Sequence, residues 1–563
     1  MTAESENARL SQDELFKELT RPLQATEMVT VYLSDNDGPK NHGIYCALVP
    51  TADIEKSLSS PSWDLMHESG YPGAVQYYED GETVTEYCRF GDNLGIEPLV
   101  FDRCFYGMKP DYKELSEEFR LFHRLYHDRQ SDQYIKIDDD GNETIVAVVE
   151  PKRIQIRLKE LRQFLAIKEM HLAILFDCRE HSPMTLEELS LTEGRGDHRE
   201  GLVCWGLNYG DFGGIGSHQA FSRLFGKRLI EPLPKDKSGM WGFADEEPKK
   251  YVDFILGVDD DGNEVSHTSD PDSLANNFGA NTGAPSYQTP VSFRKEVLDK
   301  YYQQPGKYNV SDGVLGCGYL WNMYVDNHHD NKVCAWLGDL GRDLPYEDQL
   351  HWRSHNIASP DGVSETYYQR QMLAQFTDSE QPEHLFQLKY GELAKECTDV
   401  LGWRLLLPLS TEDEHHFQCI RIPATDEQRD FDELVLGLTK ILIDSLNEKS
   451  LNGLIPKDKL VGVKGSISRL ELALGECGVE GAEKHIQFLR NLQNLRSSGS
   501  AHRKGNNYRK IATEFGVDSQ NLRSVYRGIL GRALDELDFL FGAVLSRKLI
   551  DHGARSQKES PES

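Results

Sequence analysis

From Leu522 to Leu545 the apolar residues fall at 522, 525, 526, 529, 530, 533, 534, 537, 541 and 544, a spacing that an α-helix gathers onto one side. A stripe of that length needs other helices packed against it. Two shorter stripes precede it. Phe431, Leu434, Val435, Leu438, Ile441 and Leu442 keep the 3.6-residue period, and so do His485, Phe488, Leu489, Leu492 and Leu495. With a short helix near Gly465–Leu474, these predict an antiparallel bundle over residues 426–550.

Upstream of Pro423 the pattern is different. Met28–Ser34, His42–Pro50 and Val75–Phe90 read as strands and a hairpin. Two segments carry the same Asp-Asp-Asp-Gly-Asn-Glu run, at 138–143 and 259–264. A calcium loop of the EF-hand type needs glycine at its sixth position, and starting from Asp259 that position is Glu264. Asp-Gly between alternating apolar residues predicts a hairpin instead. Helices are expected at Glu114–Arg129, Lys159–Met170, Val291–Gln303, Tyr346–Asn356 and Glu365–Phe376, and strand-like runs at His171–Asp177, Trp403–Leu409 and Phe417–Ile422. The segment Gly313–Leu340 reads as a strand pair turning at His328-His329-Asp330-Asn331.

The fold class that follows is α+β, a strand-rich mixed body followed by an all-helical C-terminal bundle. The expected organisation is a polar lead-in at 1–25, a mixed strand-rich domain at 26–265, a second mixed domain at 266–425, the bundle at 426–550 and a disordered tail at 551–563. No apolar run reaches the roughly 18 residues of a membrane span, and the acidic start lacks the features of a signal peptide. Ten scattered cysteines without a CxxC pair read as free thiols, which points to the cytoplasm.

The chain carries a net charge of -30, which disfavours indiscriminate polyanion binding. Against that background, Lys484–Arg532 holds ten basic residues and two acidic ones. A local surplus of this kind suits phosphate or nucleic acid. The plainer reading is that these cations pair with the acidic remainder of the chain. Within the stretch, Arg496 ends an amphipathic helix, the small tetrad Ser497–Ser500 follows, and His502 opens the next segment.

This Arg496-to-His502 arrangement, in a helical bundle, resembles the signature of HEPN domains, found in many bacterial toxins and antiviral proteins. The resemblance covers about 120 residues. It implies metal-independent cleavage of RNA at a site commonly completed by a second protomer, so a homo-oligomer is expected. Arg496 and His502 would be the catalytic residues, the histidine moving protons and the arginine stabilising phosphorane charge. Arg503, Lys504, Arg509, Lys510, Arg523 and Arg527 would bind the polynucleotide, RNA ahead of DNA. No cofactor and no metal are assigned to this site. Glu97–Arg103, Ser116–His123 and Leu337–Trp352 are similar to runs in large uncharacterised bacterial proteins, which implies a bacterial origin and a body that senses or restrains.

Three rival readings remain open. Tyr508–Val525 fits a helix-turn-helix in which Gln520, Asn521 and Arg523 would reach base edges, although the apolar stripe runs on far past a recognition helix. The bundle could serve only to dimerise a non-enzymatic scaffold. An enzyme could also lie in the body. Histidines at i, i+4 spacing, His123/His127 and His351/His355, could bind metal, with Asp326, His328, His329, Asp330, Asp339 and Asp343 near the second pair in sequence. Hairpin tips and solvated faces explain them more simply. The glycines of Gly210–Gly216 match no nucleotide-binding frame.

Overall fold

The computed structural model describes residues 2–62, 72–90, 95–211, 218–239, 248–276, 278–499, 513–516 and 521–550. The expected tail at 551–563 lies outside them. The chain divides into two compact units, Met1–Pro248 and Lys249–Ser563. The architecture is α+β, strand-rich at first and helical towards the C-terminus.

The first unit is built on a ten-stranded antiparallel sheet. Its strands run in the order Gly194–Glu200, Val203–Asp211, Ala220–Ile230, Met170–Ser182, Lys40–Pro50, Met28–Asp35, Arg153–Arg157, Glu143–Val149, Gln133–Ile137 and Tyr126–Asp128. Met170–Ser182 is central because it is almost wholly apolar from Met170 to Phe176 and is hydrogen-bonded along both edges. The helix Leu158–Lys168 buries Leu158, Leu161, Phe164 and Leu165 in the same core. The polar lead-in is packed as well. Leu10 is buried, and Gln12 donates to the carbonyl of Cys178 and to Ser222.

Both Asp-Asp-Asp-Gly-Asn runs are hairpin turns. Asp138 Oδ1 accepts from the backbone N–H groups of Asp140 and Asn142, and Asp259 Oδ1 does the same for Asp261 and Asn263. Gly141 and Gly262 take the positive φ that each turn requires. The helix expected at Glu114–Arg129 is only Glu117–Phe122, flanked by the strands Tyr112–Leu115 and Tyr126–Asp128. Its apolar residues suit either period, and strand pairing decides. Val291–Gln303 likewise opens as the strand Pro290–Arg294, between Lys332–Trp336 and Asn356–Ile357, and only its end is helical.

In the second unit, the run Leu337-Gly-Asp-Leu-Gly-Arg-Asp343 is a short helix whose glycines serve close packing. A Cβ at Gly341 would sit 1.9 Å from the carbonyl oxygen of Ser269, and one at Gly338 would sit 2.3 Å from the ring of Tyr287. The helices α1 (Glu365–Gln371) and α2 (Pro382–Glu396) follow. The bundle comprises α3 (Gln428–Thr439), α4 (Ser466–Glu476), α5 (Ala482–Gly499) and α6 (Leu522–Leu545). Its apolar core begins upstream of 426, since Phe386, Leu393 and Cys397 join Phe431, Leu489 and Tyr526. The runs Trp403–Leu409 and Phe417–Ile422 form no strands and line this helical core with Leu405, Leu406, Ile420 and Ile422.

Where the bundle meets the body of its own unit, Arg421 is shared by two carboxylates. It lies 2.7 Å from Asp430 and 3.7 Å from Asp299. Burial outweighs the arginine and pushes Asp299 up to about 6. The stability this carboxyl contributes is therefore present below pH 4 and lost as pH rises through 6. Asp299→Asn is expected to stabilise the protein by about 1–3 kcal/mol at pH 7. Urea unfolding at pH 7 and at pH 4 checks this, because the gain should vanish at the lower pH.

No helix among the described residues is long and apolar enough to cross a membrane, and all ten cysteines are free thiols.

Candidate functional site

Arg496 lies in the last turn of α5, one residue after the buried Leu495. That step of about 100° turns it out of the core. Its guanidinium donates to Asp444 at 2.7 Å. Asp444 closes a π-helical turn, Lys440–Asp444, that continues α3. The same turn supplies Lys440, which is ion-paired with Asp413. His415 and His416 stand on the helix Glu414–Gln418 with ring centroids 4.0 Å apart. Burial first, then the neighbouring His415 and Lys440, hold His416 down at about 4, and Arg496 adds to the effect. His416 is thus a neutral imidazole at pH 7, close enough to Lys440 and Arg496 to feel both charges. A buried pair, His485 Nδ1 and Glu536 Oε2 at 3.1 Å, ties α5 to α6.

The other residues assigned from sequence fall in different places. His502, Arg503, Lys504, Arg509 and Lys510 lie outside the described residues, as does Gln520. Arg523 and Arg527, at the start of α6, are both engaged by the loop carrying Asp330. Arg527 pairs with its carboxylate at 2.6 Å, and Arg523 donates to its carbonyl oxygen at 2.8 Å. Arg490 pairs with Glu471. These contacts match the plainer reading of the basic stretch for the residues concerned. Asn521 caps α6 by accepting from the N–H of Ser524, and α6 then runs unbroken for 24 residues. A recognition helix would end sooner.

A second constellation lies in the body of the same unit. The turn expected at His328–Asn331 is a connection leading into Lys332–Trp336, the last of three strands after Tyr308–Ser311. Asp326, fully buried, accepts from five donors. Its Oδ1 takes the N–H and Nδ1 of His328 and the hydroxyl of Ser364, and its Oδ2 takes His329 Nε2 and the N–H of Ser364. His328 reaches Asp312 Oδ1 through Nε2 at 2.6 Å. Arg370 of α1 grips Asp312 with two parallel bonds of 2.8 and 2.9 Å. His384 of α2 places Nδ1 2.8 Å from Ser379 Oγ and 3.4 Å from Asp312 Oδ1.

The electrostatics follow from these contacts. Burial opposes charge on Asp312 and Asp326, but their histidine and arginine or serine partners outweigh it and hold both below the usual carboxylate range. Burial also opposes charge on His328, and the two carboxylates overcome it and raise its pKa. His384 has too little compensation, and burial lowers it to about 4. Asp312, Arg370 and His384 line an open pocket of about 820 Å³ with Tyr324, Phe376 and Leu388.

Among the described residues, two groups of side chains bring metal-type donor atoms within 4.8 Å of one another, Asp312/His328/His384 and Asp326/His329/Cys334. The histidine pairs noticed at i, i+4 spacing do other work. His351 Nε2 donates to the carbonyl of Val297, and His355 Nδ1 contacts the carbonyl of His351. His123 follows a helix end, whereas His127 lies in a strand and stacks on Tyr134. Sequence reading noticed Asp326, His328 and His329 but missed Asp312, Arg370 and His384. Those lie up to 72 residues apart, and only the fold brings them together.

No family model, curated protein or solved structure matches this chain.

Proposed function

We propose that the C-terminal helical domain acts on RNA by metal-independent phosphodiester cleavage, in a bacterial protein of the defence or toxin type working in the cytoplasm. The observation that carries this reading is the grouping of Arg496 with Lys440, His415 and His416 at one end of the bundle. A guanidinium and an ammonium can hold a phosphate, and a neutral imidazole beside them can accept a proton from the attacking hydroxyl. Asp444 and Asp413 keep the two cations in place until a phosphate competes for them. His502 would supply the second proton-transfer group, and Arg503, Lys504, Arg509 and Lys510 would follow the backbone of the strand. Arg523 and Arg527 would add to RNA binding only after release from Asp330. The mixed body would sense or restrain, and a homo-oligomer would complete the site.

The test is cleavage of single-stranded RNA by the full chain in excess EDTA, beside Arg496→Ala and His502→Ala. Wild type is expected to cut, and each variant to lose at least about 100-fold in rate, the scale of one lost charge-stabilising or proton-transfer group. Intact RNA with wild type, or cutting by both variants at the wild-type rate, would overturn the proposal.

A further inference from the structure

We infer that Asp312, His328 and His384 form a binding site for one divalent transition-metal ion of the zinc class, with an open coordination position towards the adjoining pocket. This rests on the body of the second unit and is independent of the RNA reading. The three donors come from separate pieces of chain: the residue after the strand Tyr308–Ser311, the connection before Lys332–Trp336, and α2. His328 Nε2 and His384 Nδ1 lie 2.6 and 3.4 Å from the same oxygen, Asp312 Oδ1. A tetrahedral shell with bonds of about 2.0 Å spaces its donors about 3.3 Å apart, so small side-chain adjustments admit an ion.

The surroundings are those of a supported metal ligand. The other ring nitrogen of His328 is held by Asp326, 3.2 Å away and fully buried, which fixes the ring and directs Nε2 at the site. Arg370 steadies Asp312 by a two-bond grip on its carboxylate. Each carboxylate oxygen has two lone pairs, so Oδ1 can accept from Arg370 and still bind a cation. Binding exchanges the proton between His328 Nε2 and Asp312 Oδ1 for the ion. One N–H bond breaks at His328, the hydrogen bond between His384 Nδ1 and Ser379 Oγ gives way, two metal–nitrogen bonds and one metal–oxygen bond form, and the proton leaves to solvent.

Two imidazoles and one carboxylate suit zinc, cobalt or iron better than calcium or magnesium, which prefer all-oxygen shells. Asp312 and His384 open onto the 820 Å³ pocket, which gives an ion access and room for a water or a substrate oxygen. The neighbouring group is closed by comparison. Asp326 and Cys334 are wholly buried, so an ion has no comparable route to them.

The test uses the full chain, stripped with chelator and titrated with Co(II). One equivalent is expected to bind, with visible d–d bands and no intense thiolate-to-cobalt band in the near ultraviolet. His384→Gln and Asp312→Asn are expected to weaken binding at least 100-fold, whereas the His351→Gln/His355→Gln double variant keeps it. Zinc should raise the unfolding temperature of wild type and leave that of His384→Gln unchanged. Fewer than 0.1 equivalents bound by wild type, a thiolate band that places the ion on Cys334, or unaltered affinity in both site variants would each overturn the inference. Should a site variant fail to fold, the wild-type stoichiometry and spectrum still decide.

Discussion

Replacing Asp326 by alanine is expected to cost about 3–5 kcal/mol, the scale seen when one partner is removed from a buried ionic network. The reason is the number of groups left behind. Two imidazoles, a hydroxyl and two backbone N–H groups all converge on this one carboxylate. Without it, His328 keeps Asp312, but His329 loses its counter-charge. Ser364 also loses its anchor, and its hydroxyl is the cap of α1, accepting from the N–H of Tyr367. Damage therefore spreads from the loop to the helix that carries Arg370. Urea unfolding of metal-free protein measures the loss. A shift below about 1 kcal/mol would mean that the network is no more than an ordinary surface cluster.

Mild acid is expected to weaken the first unit through His123. This ring is buried, wedged edge-on against Phe119 and Phe122, with Nε2 on the carbonyl of Glu160 and Nδ1 lacking any hydrogen-bond partner. Burial depresses its pKa to about 4 from an ordinary value near 6.5. A depressed histidine contributes stability that is complete above pH 6.5 and lost as pH falls through 4. The shift corresponds to about 3 kcal/mol by the lower pH. The unfolding free energy of wild type should therefore fall between pH 6.5 and 4 by more than that of His123→Gln, which cannot titrate. Parallel pH profiles would contradict the assignment.

The parts of the fold that could be read in advance are those where one period dominates. The stripe at 522–545 gave its helix nearly to the residue, because ten apolar positions leave no other face to bury. The paired Asp-Asp-Asp-Gly-Asn turns were equally legible, since their side chains bond to their own backbone. Glu114–Arg129 was not. Its apolar spacing is short enough to serve either period, and the neighbouring strands claimed both ends. The candidate sites divide in the same way. Arg496 stands out locally, in the last turn of an amphipathic helix just before the small residues Ser497, Ser498 and Gly499. His415 and His416 became relevant only once the helix Glu414–Gln418 lay beside the turn at 440–444. The Leu337–Asp343 run stood out only for its similarity to runs in large bacterial proteins. Gly338 and Gly341 show that much of its character is steric, set by contact with Tyr287 and Ser269.

The wide turn at Lys440–Asp444 has a consequence for how this protein tolerates change in chain length. A π-helical turn is an α-helix holding one extra residue. It lets three successive residues, Ile441, Leu442 and Ile443, all reach the core, which a regular helix would spread over about 200°. Removing any one residue of the five would restore a regular helix and keep the chain continuous. The helix on either side would keep its register, because the wide turn is what absorbs the extra residue. Loss of Asp444 itself would remove the acceptor of Arg496, and loss of Lys440 would remove the partner of Asp413, whereas loss of a residue between them leaves the two three apart on one face. The turn is therefore a place where the chain can gain or lose a residue without turning the bundle helices against one another, and the neighbourhood of Arg496 depends on which residue is lost.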